Sequence, residues 1–168
     1  MEKQQNQFDE TFDVLVVGSG CGGLTAALTA DIASPSKVLV VEKSHLIGGT
    51  SATSGGVIWI PYNHLAKEKG ANDSISEAKE YLKATIPADE FNEPLIDAYL
   101  DQGPKMVKFM EENTDAKYTS LEHYPDYFQD APGVKLGNRA LEPLPVSAAT
   151  LEDDVDNLHP SGPQTIVF

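Results

Sequence analysis

The stretch VLVVGSGCGGLTAALTA, residues 14–30, decides the fold. It closes a nearly continuous apolar run from Phe12 to Val17, the pattern of a strand buried on both faces in a parallel sheet. Glycines then crowd in at Gly18, Gly20, Gly22 and Gly23, and residues 21–33, rich in Ala, Leu and Thr, predict a helix. The break SPS at 34–36 ends it, and KVLVV at 37–41 reads as a second buried strand. Strand, helix and strand together fill about 30 residues, the size of one βαβ unit.

Gly18, Gly20 and Gly23 fall in the pattern G-x-G-x-x-G, directly after the strand and directly before the helix. In that setting the first glycine permits the tight turn, and the second lets a pyrophosphate approach the backbone. The third lets the helix sit close to the sheet. The helix N-terminus adds unpaired N–H groups and a partial positive charge to hold an anion. Glu42 ends the second strand, near the roughly 20-residue spacing at which an acid hydrogen-bonds the adenosine ribose. A glycine-rich turn in an unrelated α/β fold would not need that acid. The pattern predicts a Rossmann-like dinucleotide site.

The acid alone does not separate NAD from FAD. The next segment, EKSHLIGGTSATSGG at 42–56, bears on that choice. Its glycine pairs and hydroxyl side chains suit a long ligand that continues past its pyrophosphate toward a polyol and a ring.

Composition bounds the partners. The 168 residues carry a formal net charge of −14, which repels nucleic acid and anionic membrane surfaces. Hydrophobic residues make up 40%, enough for a core. No window approaches the roughly 18 apolar residues of a membrane span. The N-terminal residues 1–11 read as a polar tail without the apolar centre of a signal peptide. One cysteine, Cys21, excludes an internal disulfide and a cysteine-based zinc site. The expectation is a soluble, cytoplasmic protein.

Beyond the glycine loop, GGTSATSGG at 48–56 reads as a small-residue loop leading into the apolar VIWIP. SISE places Glu77 three residues after Ser74, an N-cap signature for a helix over 74–86. Residues 92–113 predict one or two helices, with Gly103-Pro104 as the break. From Tyr118 the chain is rich in proline and aromatics. The terminal PQTIVF looks strand-like.

Three runs carry a resemblance: DVLVVGSGCGGLTAAL, VLVVEKSHLIGGTSATSGGVIWIP and YPDYFQDAPG. Together they resemble the flavoprotein superfamily of fumarate reductases and 3-ketosteroid Δ1-dehydrogenases, from residue 12 to about 145. The third run looks more like the ketosteroid branch. The resemblance implies an α/β, Rossmann-like FAD-binding domain, with residues 12–168 as its N-terminal portion and the substrate domain and closing strands absent. It implies FAD contacts at Gly18, Ser19, Gly20, Gly23, Glu42, Lys43, Gly49, Thr50, Ser51, Ser54, Gly55 and Gly56. Some relatives attach FAD through a histidine in the second loop. None lies between Gly48 and Gly56, so non-covalent FAD is implied. His45, just before it, reads as an exposed loop residue.

In the ketosteroid branch a tyrosine base removes a proton from C1 and a second tyrosine supports it. Donors polarise the C3 carbonyl, and hydride from C2 passes to flavin N5. The supporting tyrosine matches Tyr127 in PDYF, set against a packing role for that ring; Tyr124 is the weaker candidate. The partners implied are a small apolar 3-ketosteroid and an external electron acceptor. A fumarate-type reductase would need arginines for its dianion, and Arg139, the only arginine, reads as structural. A non-catalytic FAD-binding module is the reading of another class. Trp59 reads as core, Cys21 as a small loop residue, and His64, His123 and His159 show no metal spacing. The resemblance leads us to expect the isolated chain to bind FAD weakly or not at all and to be inactive.

Overall fold

The computed structural model describes residues 10–160. The terminal PQTIVF lies outside them. Two compact units emerge. One runs up to Ser54 and resumes at Leu151; the other is Gly55–Thr150.

The first unit opens with strand β1 (Val14–Val17), helix α1 (Cys21–Ala33) and strand β2 (Val38–Val41). β1 and β2 pair in parallel, Val14 opposite Val38 through Val17 opposite Val41. This is the βαβ unit that the hydrophobic pattern predicts. α1 ends where Ser34 turns extended and Pro35 follows, since proline cannot continue the ladder. The strands depart from expectation in one respect. Val16 is buried, but Leu15 and Val17 are 60% and 78% exposed on the alternate face. Leu24, Leu28 and Ile32 likewise form an exposed apolar stripe along α1, at helical spacing. Both-face burial needs a layer on each side, and α1 packs on β1 and β2 from one side.

Glycine sterics fix the loop between β1 and α1. Gly18 has φ +99, left-handed backbone that an L side chain avoids. A Cβ on Gly23 would lie 2.0 Å from the Gly18 carbonyl oxygen, so only glycine fits there. After β2, the segment read as a loop contains a short helix, α2 (Gly49–Thr53), entered through Gly48 at φ +102. Ala52 N–H donates to the Gly48 carbonyl, so small residues close a turn there. A 3₁₀ helix, Ala148–Asn157, leads back into this unit. Leu158 then bridges Ile47 in parallel.

The second unit is built differently. Its strands β3 (Ile58–Trp59), β4 (Tyr118–Ser120) and β5 (Ala140–Pro143) form an antiparallel sheet in the order β3-β5-β4. Helix α3 (His64–Glu68) is capped by the buried Asn63, whose Oδ1 accepts from Ala66 N–H at 2.7 Å. α4 (Ile75–Thr85) starts at Ser74, which accepts from Glu77 N–H, as the SISE signature predicts. α5 (Glu93–Asn113) is one continuous helix, and Pro104 lies inside it. It survives the lost hydrogen bond because Leu100, Gly103, Val107 and Met110 bury one stripe at i, i+3, i+7 and i+10. The core gathers Ile60, Val107 and Leu141, with Ile58, Leu65, Met106 and Tyr118 packed on it. No helix among the described residues is long and apolar enough to cross a membrane.

Two neighbouring glycines give opposite expectations. Gly23→Ala drives a methyl into the Gly18 carbonyl and should destabilise the first unit severely. Gly22→Ala meets nothing within 4 Å and removes a helical glycine, so it should stabilise by up to about 1 kcal/mol. Urea unfolding followed by circular dichroism reads both. Equal effects of the two changes would contradict the packing described.

Candidate functional site

In the first unit, three chain segments meet at Ser19, which is 2% exposed. Its N–H donates to Glu42 Oε2 at 2.9 Å and its hydroxyl donates to the same oxygen at 2.7 Å. Gly48 N–H donates to the Ser19 hydroxyl at 2.9 Å, tying in the second glycine loop. Ser44 N–H donates to Glu42 Oε1 at 3.0 Å. These bonds, led by the Ser19 hydroxyl, pull the Glu42 carboxyl down to about 2. The acid at the end of β2 is therefore a fixed anion.

Gly20 forms the N-cap of α1, and Cys21 N–H donates to Ser51 Oγ at 3.0 Å. A Cβ on Gly20 would meet only Ser51 Oγ, at 3.7 Å, and one on Gly22 would meet nothing within 4 Å. The loop face is open at the positions where a ligand phosphate would come close to backbone. Gly49, at φ +51, lies beside Gly20, its added Cβ 4.0 Å from the Gly20 Cα. The structure thus brings Gly18, Ser19, Gly20, Gly23, Glu42, Gly49 and Ser51 together. Thr50 lies exposed on α2, and the Ser54 hydroxyl donates to Ser51 O at 2.9 Å. Lys43 is exposed. Gly55 and Gly56 open the second unit, where Gly56, at φ +73, packs on Pro143. Sequence reasoning overlooked Gly48 and Ser44; the signal for Gly48 was its place as first of a glycine pair.

The second unit holds the tyrosine candidates. Val57, Trp59, Tyr81, Leu82, Tyr124 and Tyr127 are among the residues around an apolar cavity of about 320 Å³. Tyr127 is 82% exposed in this chain. The phenol of Tyr124 is pushed up, chiefly by its hydrogen bond to the Tyr127 side chain. Tyr99 is pushed up to about 12 by burial. Its hydroxyl donates to the Trp59 carbonyl, and its ring stacks parallel to Trp59. Trp59 is half-buried by this stacking and also lines the cavity.

Arg139 is 1% exposed and fully committed. Its Nη2 donates to Asp73 Oδ1 and its Nη1 to Asp126 Oδ2, each at 2.8 Å. The guanidinium carbon also lies 5.5 Å and 5.8 Å from the Trp59 and Tyr81 ring centres. It is structural. Asp126, Tyr81 and Asp73 escaped the sequence reading, although an acid set among aromatics in YPDYF was the available signal. Among the described residues no group of three or more His, Cys, Asp or Glu side chains could hold a metal.

The depressed Glu42 carboxyl makes a pH prediction. A carboxylate held below its ordinary 4.5 in the folded state lends stability above 4.5, and that stability is lost as pH falls toward 2. Glu42→Gln should flatten the fall in stability between about pH 4.5 and pH 2, read by urea unfolding across that range. An unchanged pH profile would mean that the Ser19–Glu42 pair does not form in solution.

Comparison with known proteins bears on this geometry. The family described as FAD binding domain matches residues 13–149. The chain is 43% identical over 153 residues to a 3-oxosteroid 1-dehydrogenase of Mycobacterium tuberculosis (strain ATCC 25618 / H37Rv), covering 90% of this chain and 27% of that protein. It is also 43% identical over 145 residues to a 4-oxocyclohexanecarboxylate 2-dehydrogenase of Sinomonas cyclohexanicum, covering 86% of this chain and 25% of that one. A crystal structure of 3-ketosteroid delta1-dehydrogenase from Sterolibacterium denitrificans, in complex with 1,4-androstadiene-3,17-dione, superposes with a TM-score of 0.84 at 42% identity. It covers 92% of this chain and 27% of that one. The chain spans about a quarter of the length of these relatives. The cofactor indicated is FAD, and the chain belongs to the FAD binding domain family.

Proposed function

We propose that this chain is part of the FAD-binding domain of a cytoplasmic 3-ketosteroid Δ1-dehydrogenase that passes electrons to an external acceptor. The observation that carries the reading is the apolar cavity of about 320 Å³ with the Tyr124–Tyr127 pair on its wall. Ligand pockets run from about 300 to 1,000 Å³ and are mostly apolar with a few placed polar groups. A neutral, rigid, ketone-bearing ligand suits that chemistry. An acid substrate, whether a cyclohexane carboxylate or an unsaturated dianion, would want a cation. The one arginine of this segment is enclosed by Asp73 and Asp126.

The residues of the first unit fit FAD. Gly20 and Gly22 leave the loop face clear, and α1 turns its N-terminus toward it. In this reading Gly18, Gly20 and Gly23 shape the pyrophosphate turn, and the N–H groups of Gly22 and Gly23 face the anion. Glu42 takes ribose hydroxyls with Oε1. Ser19 serves by holding that carboxylate, because both of its donors are committed to Oε2. Lys43, Gly49, Thr50, Ser51, Ser54, Gly55 and Gly56 follow the rest of the cofactor. Bound FAD supplies the two-electron acceptor for the hydride. Tyr127 supports the base that takes the partner proton. The exposed stripes of Leu15, Val17, Leu24 and Leu28 are the surfaces that the rest of a larger domain would cover.

FAD is held without a covalent bond, so acid precipitation should release all yellow colour into the supernatant; colour left in the pellet would refute it. Cys21 is exposed at the start of α1, so in the complete flavoprotein FAD should slow its alkylation by a thiol reagent. Glu42→Ala should weaken binding roughly tenfold or more and abolish that protection at low FAD. Equal alkylation with and without FAD would remove the loop from the site.

Tyr127 gives a separate test. In the complete flavoprotein, Tyr127→Phe should lower turnover by up to about 10²-fold while FAD content stays constant. Unchanged turnover with altered thermal stability would mean that the ring only packs.

A further inference from the structure

Tyr127 combines two properties that do not ordinarily coincide. Its side chain is 82% exposed and gains little from burial, yet the residues on both sides of it are anchored. On one side, Asp126 is 4% exposed. Its Oδ1 accepts from Trp59 Nε1 at 2.6 Å. Its Oδ2 accepts from Arg139 Nη1 at 2.8 Å and from Lys135 N–H at 2.9 Å. Its own N–H donates to the Lys135 carbonyl at 2.9 Å. On the other side, Phe128 N–H donates to the Tyr81 hydroxyl at 3.1 Å, and Tyr81 is a buried residue of α4. Two further contacts press the same loop down. Gly133, at φ +73, leaves no room for a Cβ over the Glu77 carbonyl, and Lys135 Nζ lies 2.8 Å from Glu77 Oε1.

Within this chain, burial of hydrophobic area does not account for the arrangement, since Phe128 is also 60% exposed. A short segment is held at β3, α4 and the start of β5, and what it presents outward is a phenol. Functional side chains need support of this kind to stay within about 0.5 Å of a productive geometry. We propose that Asp126 and Tyr81 are positioning residues that clamp the backbone on either side of Tyr127 and so fix where its phenol stands beside Tyr124. The assignment rests on the reading of Tyr127 as a substrate-side tyrosine. Arg139 acts behind Asp126 by keeping that carboxylate in place.

The two clamps can be released separately. Tyr81→Phe keeps the ring that packs on Trp59 and leaves the buried ion pair whole, so it folds even where Asp126→Asn does not. In the 168-residue chain labelled with ¹³Cζ-tyrosine, the Tyr124 and Tyr127 signals are assigned from their own phenylalanine variants and titrated. Loosening either clamp should separate the two phenols and bring the raised Tyr124 titration back toward its ordinary value. In the complete, flavin-loaded protein the same changes should lower kcat by about ten- to a hundredfold, with FAD content unchanged and little change in KM for a 3-ketosteroid. An unmoved Tyr124 titration in folded Tyr81→Phe would overturn the proposal. So would unchanged kcat in Tyr81→Phe where Tyr127→Phe is itself impaired. A Tyr124 signal that moves, with kcat unmoved in all variants including Tyr127→Phe, would uphold the clamp and refute the catalytic reading instead.

Discussion

The second unit depends on one buried positive charge. A guanidinium withdrawn from water must find acceptors for its fork of N–H groups, or the desolvation cost stands uncompensated. Arg139 finds them in Asp73, just before α4, and in Asp126, in the loop after β4. Two carboxylates around one cation leave an excess negative charge, and neutral donors offset it. Tyr62 and Ser74 give their backbone N–H groups to Asp73, while Trp59 Nε1 and Lys135 N–H serve Asp126. Losing Arg139 would leave two carboxylates buried without their cation, and breaking a comparable buried pair costs about 3–5 kcal/mol. The arginine therefore dictates the path of segments that are distant in sequence. Asn138, at φ +72, and Tyr62, at φ +57, adopt left-handed backbone next to this cluster, which is where such strain can be held.

The first unit has a smaller version of the same device. There the buried polar group is the Ser19 hydroxyl, which donates to Glu42 and accepts from Gly48 N–H. One oxygen joins the first glycine loop, the end of β2 and the second glycine loop. That arrangement explains why a polar residue occupies the centre of a glycine turn. Its hydrogen bonds also fix the charge state of Glu42, so a sugar hydroxyl arriving there meets an anion at neutral pH.

How much of this was legible depended on whether the information was local. Residues 14–42 carry their reading in spacing alone: a strand pattern, glycines at fixed offsets, and an acid at the next strand end. The sequence likewise marks α4 through the Ser74–Glu77 cap, which is a matter of three residues. The antiparallel sheet was not legible, because β3 and β4 are two and three residues long, too short to show alternation. Nor was the continuity of α5, since Gly103-Pro104 signals a break. Only the packing of Gly103 against Ile60 shows why the helix runs on. The Arg139 cluster was invisible for another reason. Its acids lie far from it along the chain, and nothing in either local context names the partner.

The hydrogen bond between Tyr124 and Tyr127 bears on the chemical part proposed for Tyr127. The hydrogen bond to Tyr127 raises the Tyr124 phenol, so Tyr124 holds its proton more firmly than a free phenol does. Tyr127 itself is 82% exposed, so its phenol is open to a further partner. A phenol that donates to a neighbouring group stabilises negative charge on that group, since hydrogen bonds to a charged form favour that form. If the group it faces is a second phenol acting as a base, the donation lowers the cost of ionising it. A phenol near pKa 10 needs that help to take a carbon-bound proton at neutral pH. In the role proposed for Tyr127, its phenol would supply that donation.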